Sequence, residues 1–77
     1  MPRILVVEDD PTISKLISAS LKISGYESTP CFNGGDAVHM IRNNDFDLIL
    51  LDVMLPGMDG FEIMRNIRRY EVPVIFL

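Results

Sequence analysis

Asp47-Leu48-Ile49-Leu50-Leu51-Asp52-Val53-Met54-Leu55-Pro56-Gly57-Met58-Asp59-Gly60 is the stretch that decides the fold, because four large aliphatics run straight into a carboxylate and a turn. Leu48 to Leu51 suit a parallel strand covered on both faces better than a strand with one wet side. Asp52 then stands at the carboxyl end of a central strand. In open α/β sheets ligands and chemistry collect at that edge, where the winding of the sheet reverses.

Arg3-Ile4-Leu5-Val6-Val7 repeats the pattern and is ended by Glu8-Asp9-Asp10, so two strands deliver carboxylates at the same end. Asp10-Pro11 is a helix start, with Asp10 as N-cap and Pro11 at the first helical position, where its missing N–H costs nothing. Ile13, Leu16, Ile17 and Leu21 fall at helical spacing and Gly25 supplies a left-handed stop, which predicts a helix over 11–24. Glu27 to Phe32 reads as a strand at the sheet edge, since Pro30 lacks a ladder donor. Asn33-Gly34-Gly35 marks a turn, followed by a helix over about 34–43 with Ala37, Val38 and Ile41 inward.

Beyond the central strand, Asp59 and Glu62 have the spacing of a capping box. The helix they open runs over about 59–69, with Ile63, Met64 and Ile67 inward and Arg65, Arg68 and Arg69 complementing its negative end. Residues 72–77 form a fourth strand, with Pro73 near its start. Strand and helix alternate throughout, and right-handed crossovers turn that alternation into a doubly wound parallel sheet. With the first strand central, the order is 2-1-3-4, and Glu8, Asp9 and Asp52 converge on one crevice.

The composition narrows the function. A chain of 77 residues with 48% hydrophobic content buries only ~60% of its unfolded surface and is marginally stable. The net charge of −4 argues against nucleic-acid contact by this segment. No apolar run reaches the roughly 18 residues of a membrane span and no secretion signal opens the chain, so a cytoplasmic location is expected. Cys31, the single cysteine, reads as an unreactive, at least half-buried thiol. His39 lies off the apolar stripe with no second His or Cys nearby, and reads as a solvated helix residue.

Three carboxylates in one crevice repel one another, and without metal the repulsion appears as raised pKa values or lost stability. A hard divalent cation removes the conflict. Magnesium takes oxygen ligands, keeps several waters, and is served by two or three carboxylates and a carbonyl.

Ile4-Leu5-Val6-Val7-Glu8-Asp9-Asp10, followed by Leu51-Asp52-Val53-Met54-Leu55-Pro56-Gly57-Met58-Asp59-Gly60, resembles the receiver domain of bacterial two-component response regulators. The resemblance covers the whole chain, and the two motifs together are far more specific than either alone. It implies a flavodoxin-like fold with Asp52 as the phosphoacceptor, taking a phosphoryl group from a phosphohistidine on a sensor histidine kinase. It further implies that Glu8, Asp9 and Asp52 hold Mg²⁺ with the backbone carbonyl of Met54, and that Pro56 and Gly60 shape the loop and the next helix. A carboxylate is a competent nucleophile for such transfer, which needs mainly positioning and charge neutralisation. The resemblance is strongest to receivers that precede a winged-helix DNA-binding domain and so regulate transcription.

Residues 1–77 correspond in this reading to a receiver cut after its fourth strand, without the fifth strand and the last two helices. A full receiver carries a Ser or Thr, an aromatic and a Lys in that remainder, so weak or no labelling and a lost switch are expected. The uncovered fourth strand is a template for another chain, and a homodimer is expected. The alternative is an assembly fragment that is never phosphorylated. No enzyme activity is expected: phosphatases using an aspartyl phosphate want a second Asp two residues after the nucleophile, and that position is Met54. A nucleotide binder of the same fold would want a Gly-rich loop after the first strand, where acids stand instead.

Overall fold

The computed structural model describes residues 1–55 and 57–77. Pro56, expected to shape the loop after the central strand, lies outside the described residues. The elements are β1 (Arg3–Val7), α1 (Pro11–Ile23), β2 (Glu27–Cys31), α2 (Gly34–Asn43), β3 (Leu48–Leu51), α3 (Gly60–Ile67), a 3-10 turn (Arg68–Tyr70) and β4 (Val74–Phe76). All strand pairs are parallel and the sheet order is β2-β1-β3-β4, the flavodoxin-like α/β arrangement the alternation predicts.

Side-chain alternation sends Leu5 and Val7 of β1, with Ile49 and Leu51 of β3, to one face. There they form the core with Ala37, Val38 and Ile41 of α2 and Ile63 and Ile67 of α3. On the other face α1 packs against β1 and β2. Ile4 and Val6 are buried there, whereas their register partners Leu48 and Leu50 on β3 are only half-buried. The β3–β4 half of that face has no helix of its own among the described residues.

This placement corrects the stripe expected for α1. Ile17 and Leu21 are half-buried, but Ile13 and Leu16 are exposed, Leu16 at 65%. The buried residue of α1 is Ser14. The helix sits over β1 and β2 rather than over the sheet centre, so only part of its apolar stripe finds a partner.

The caps follow the sequence closely. Asp10 Oδ1 accepts from the Thr12 N–H at 2.9 Å. α1 ends one residue earlier than expected, with Ser24 as C-cap. Gly25 (φ 88°) closes it as the spacing predicts: the Tyr26 N–H reaches Leu21 O at 2.9 Å and the Gly25 N–H reaches Lys22 O at 3.1 Å, the paired bonds of a left-handed stop. Asn33, read from sequence only as part of a turn, is the N-cap of α2 and accepts from the Asp36 N–H at 2.9 Å. Asp59 caps α3 through the Glu62 N–H at 2.9 Å; the return bond from the Asp59 N–H to the Glu62 carboxylate is absent among the described residues, so half of the expected box forms.

Three further elements differ from expectation in extent. β2 stops at Cys31, one residue short of Phe32. The helix expected to reach residue 69 tightens into the 3-10 turn at Arg68, after which Glu71 takes a left-handed conformation (φ 54°). β4 is confined to Val74–Phe76 rather than 72–77, although Pro73 O and the Leu77 N–H still bond to β3.

The two sheet edges are built differently. β2 bonds to β1 through the Glu27 N–H and Cys31 O, so residues 27, 29 and 31 face inward and Pro30 faces the open edge, which lacks a donor there. β4 bonds to β3 through Pro73 O and the Leu77 N–H. The peptide groups of Val74 and Phe76 therefore point outward, with neither a proline nor a charge to blunt that edge.

Ile49 is fully buried between the helices and the sheet. Ile49→Val is expected to lower unfolding free energy by about 0.5–1.5 kcal/mol, seen as a lower urea midpoint at unchanged slope. Ile23→Thr at a site 88% exposed is expected to stay within about 0.5 kcal/mol of the parent.

Candidate functional site: an acidic crevice at the strand ends

β1 and β3 lie side by side in register, with Val7 opposite Leu51. The residue after each strand is therefore delivered to the same place. The Asp52 N–H donates to Val7 O at 2.9 Å, and the Glu8 N–H donates to Cys31 O at 3.0 Å. The backbone at both acids is thus held by neighbouring strands rather than left to a loop.

Glu8, Asp9 and Asp52 each place a carboxylate oxygen so that the three lie within 4.8 Å of one another. Glu8 is buried, Asp52 half-buried and Asp9 exposed. Asp10 stays out of the cluster because its carboxylate caps α1, while its N–H donates to Glu8 Oε1 at 3.3 Å. Asp52 Oδ1 accepts the Met54 N–H at 3.0 Å, which holds the chain close to the acids just beyond the strand. The Met54 side chain is exposed.

The repulsion expected among these acids is present in Glu8. Burial pushes its carboxyl above the ordinary value of 4.5, and the hydrogen bond and negative charge of Asp52 push it further, with Asp9 adding to the effect. The Asp10 N–H acts in the opposite direction and does not reverse it. The net effect is that ionisation of Glu8 is less favourable than for a free carboxyl.

Gly60 shapes the loop by close approach rather than by unusual backbone angles. A Cβ there would stand 2.9 Å from Val53 Cα and 3.3 Å from Asp52 O, and the Gly60 N–H donates to Val53 O at 2.9 Å. Any side chain would lever α3 away from the acceptor strand. Sequence reasoning missed the aromatic pair beside it, Phe61 and Phe76, with ring centroids 5.6 Å apart. The two lie on different elements, and no local periodicity signals their contact. Two further placements agree with the sequence: Cys31 is buried, donates to Asn33 O at 3.2 Å, and burial raises its thiol, while His39 is exposed on α2. No helix among the described residues is long and apolar enough to cross a membrane.

A doubly wound parallel sheet whose two central strands end in three acidic residues defines an α/β protein with its site at the switch point. The chain belongs to the response regulator receiver domain family, whose model matches residues 4–77. It is similar to the response regulator TrrA of Thermotoga maritima in complex with Mg²⁺ and BeF, at 36% identity and a TM-score of 0.89, over 99% of this chain and 66% of that one. The complex of the histidine kinase ThkA with TrrA matches at 36% identity and a TM-score of 0.92, over 99% of this chain and 67% of that one. The receiver domain of the sensor histidine kinase PA1611 from Pseudomonas aeruginosa, with magnesium in its active-site cleft, matches at 37% identity and a TM-score of 0.92, over 97% of this chain and 65% of that one. The chain spans 64% of the length of a similar Francisella receiver domain.

The raised Glu8 carboxyl sets a pH dependence. The folded chain keeps this proton at a pH where the unfolded chain has released it, so the stabilisation is fully present below the ordinary value of 4.5 and is lost as pH rises through the folded value. In metal-free buffer the urea midpoint is expected to fall across that window, and Glu8→Gln is expected to flatten the fall. An unchanged slope in Glu8→Gln would show that Glu8 is not the group responsible.

Proposed function

We propose that Asp52 accepts a phosphoryl group from a phosphohistidine of a sensor histidine kinase, in a cytoplasmic signalling protein, and that the transfer requires Mg²⁺. The observation that carries this reading is the gathering of three carboxylate oxygens within 4.8 Å at the switch point. The donor set fits a hard cation, since a shell of oxygen ligands at about 2.0–2.1 Å is roughly 4 Å across. Glu8, Asp9 and Asp52 hold the ion together with the Met54 carbonyl. When bound, Mg²⁺ supplies neutralisation of charge on the transferring group and a fixed orientation for it.

The chain's own residues do the rest. Asp52 is the nucleophile: its carboxylate oxygen forms the new bond to phosphorus as the phosphorus–nitrogen bond of the phosphohistidine breaks and the imidazole leaves. The Met54 N–H on Oδ1 fixes the rotation of that carboxylate and so aims it. Glu8 must be ionised to hold a cation, so metal uptake is opposed by protons as pH falls toward its raised pKa. The segment is a phosphoacceptor rather than an enzyme acting on a separate substrate. It makes no nucleic-acid contact itself, in keeping with its net charge of −4; transcription regulation through a winged-helix output domain is the role proposed for the parent protein.

Intact mass after incubation with a small acyl phosphate tests this. A slow, Mg²⁺-dependent gain of one phosphoryl group that disappears in Asp52→Asn is expected. Labelling that persists in Asp52→Asn, or that ignores Mg²⁺, contradicts the assignment.

A second reading, in which the chain acts as a self-associating assembly unit, is favoured by the β4 edge. Among the described residues the peptide groups of Val74 and Phe76 have no partner there, and Ile75 is 53% exposed. Edge pairing between two copies satisfies both, with a symmetric homodimer the simplest closed form. Sedimentation at micromolar concentration is expected to show a dimer that Ile75→Lys converts to monomer. A compact monomer at every concentration excludes it.

A further inference from the structure

Two adjacent glycines open α2, and their surroundings differ. Gly34 is buried, and a Cβ on it would stand 2.8 Å from Met58 Cβ, 3.0 Å from Met58 O and 3.1 Å from Ile63 Cδ1. Carbon atoms in ordinary contact are about 3.5–4.0 Å apart, so the backbone of α2 already touches the loop that leads from Asp52 to α3. Gly35 is exposed, and a Cβ there would meet only Asn33 Oδ1, at 3.6 Å. Helix formation favours Ala over Gly at both positions. The contact with Met58 supplies a reason for glycine at Gly34 alone.

Neither side of that contact is free to retreat. The start of α2 is fixed by Asn33, whose side chain accepts the Asp36 N–H at 2.9 Å and donates to Asp36 Oδ2 at 2.8 Å. The Asn33 carbonyl accepts the Cys31 thiol at 3.2 Å, and Cys31 O accepts the Glu8 N–H at 3.0 Å. On the other side, Met58 is half-buried and packs against the core, and Asp59 caps α3. Ile63 Cδ1 ends a flexible side chain and can turn aside, whereas Met58 Cβ and O move only with their backbone. The contact thus joins the strand end that carries Glu8 to the loop that follows Asp52.

We propose that Gly34 is a positioning residue for the acceptor site: its missing side chain lets the start of α2 stand as a stop against Met58, and that stop sets the path of the chain leaving Asp52. The proposal rests on the reading of Glu8, Asp9 and Asp52 as a cation-holding acceptor site.

Gly34→Ala set against Gly35→Ala, the same substitution one residue along the same helix, tests it. In the metal-free chain, Gly34→Ala is expected to shift the amide resonances of Val53 and Met54, neither of which touches the added methyl, and Gly35→Ala to leave them in place. Gly34→Ala is expected to raise the Mg²⁺ dissociation constant about tenfold, the low end of what loss of an outer support costs a metal site, and Gly35→Ala to leave it unchanged. Lower stability alone would not move that constant in folded protein. Met58→Gly removes the nearest atom, so Gly34→Ala is expected to cost less Mg²⁺ affinity in that background than in the parent. Should Gly34→Ala leave the parent chain unfolded, Met58→Gly is expected to restore a dispersed spectrum, and a double variant that stays unfolded overturns the proposal. Unmoved Val53 and Met54 amides, parent-like Mg²⁺ affinity in Gly34→Ala, equal effects of the two glycine substitutions, or additive effects of Gly34→Ala and Met58→Gly also overturn it. A parent chain that takes up no Mg²⁺ sinks the acceptor-site reading and this proposal with it, whereas a parent that binds Mg²⁺ no better than Gly34→Ala sinks this proposal alone.

Discussion

The hydrogen bond from the Asp52 N–H to Val7 O, 2.9 Å long, is the constraint on which the site depends. It continues the parallel ladder one residue past β3, so that the last ordered pair, Val7 opposite Leu51, is followed at once by Glu8 beside Asp52. Alternation puts Val7 and Leu51 into the core and turns the next two side chains toward each other. A slip of one residue would send every apolar side chain of β3 to the wrong face and part the acids together. Burial of Ile49 and Leu51 therefore enforces the geometry of the crevice, and the hydrophobic core and the chemistry share one register.

The crevice itself opposes folding when empty. Glu8 is buried beside Asp52, which makes its ionisation less favourable, and in the proposed role a divalent cation would turn the cluster into a ligand set. Asp10 is spared this conflict because its carboxylate is committed to the first turn of α1. The same division of labour recurs in Asp59, which caps α3 and holds the loop after Asp52 at its far end, while Gly60 allows the helix to come against Val53. Loop, cap and strand end act together to hold Asp52 in place.

Much of this was legible in the sequence because it is local or periodic. Uninterrupted runs such as Leu48–Leu51 marked parallel strands, although β3 is buried on one face only, Leu48 and Leu50 being half-buried; Asp10-Pro11 and Gly25 marked the ends of α1, and Pro30 marked an edge. The acid trio was legible because strand ends in a 2-1-3-4 sheet are predictable neighbours. What failed depended on which face of an element finds a partner. Ile13 and Leu16 have perfect helical spacing and are exposed, since α1 sits over β1 and β2 alone. The last turn of α3 changes to 3-10 geometry at Arg68, and the brevity of β4 reflects where its ladder to β3 ends. The difference in burial between Glu8 and Asp9, adjacent in sequence, is likewise a property of the packed sheet, and burial is the main cause of the raised Glu8 pKa.

The most direct test of the account is the thermal unfolding midpoint as a function of Mg²⁺ concentration at neutral pH. A ligand held only by the folded state raises the midpoint progressively as its concentration passes the dissociation constant. The account predicts such a rise in the parent chain, reduced at acid pH where Glu8 keeps its proton, and abolished in Asp9→Asn. A midpoint that ignores Mg²⁺, or that rises equally in Asp9→Asn and Asp52→Asn, would contradict the claim that these carboxylates form a cation site.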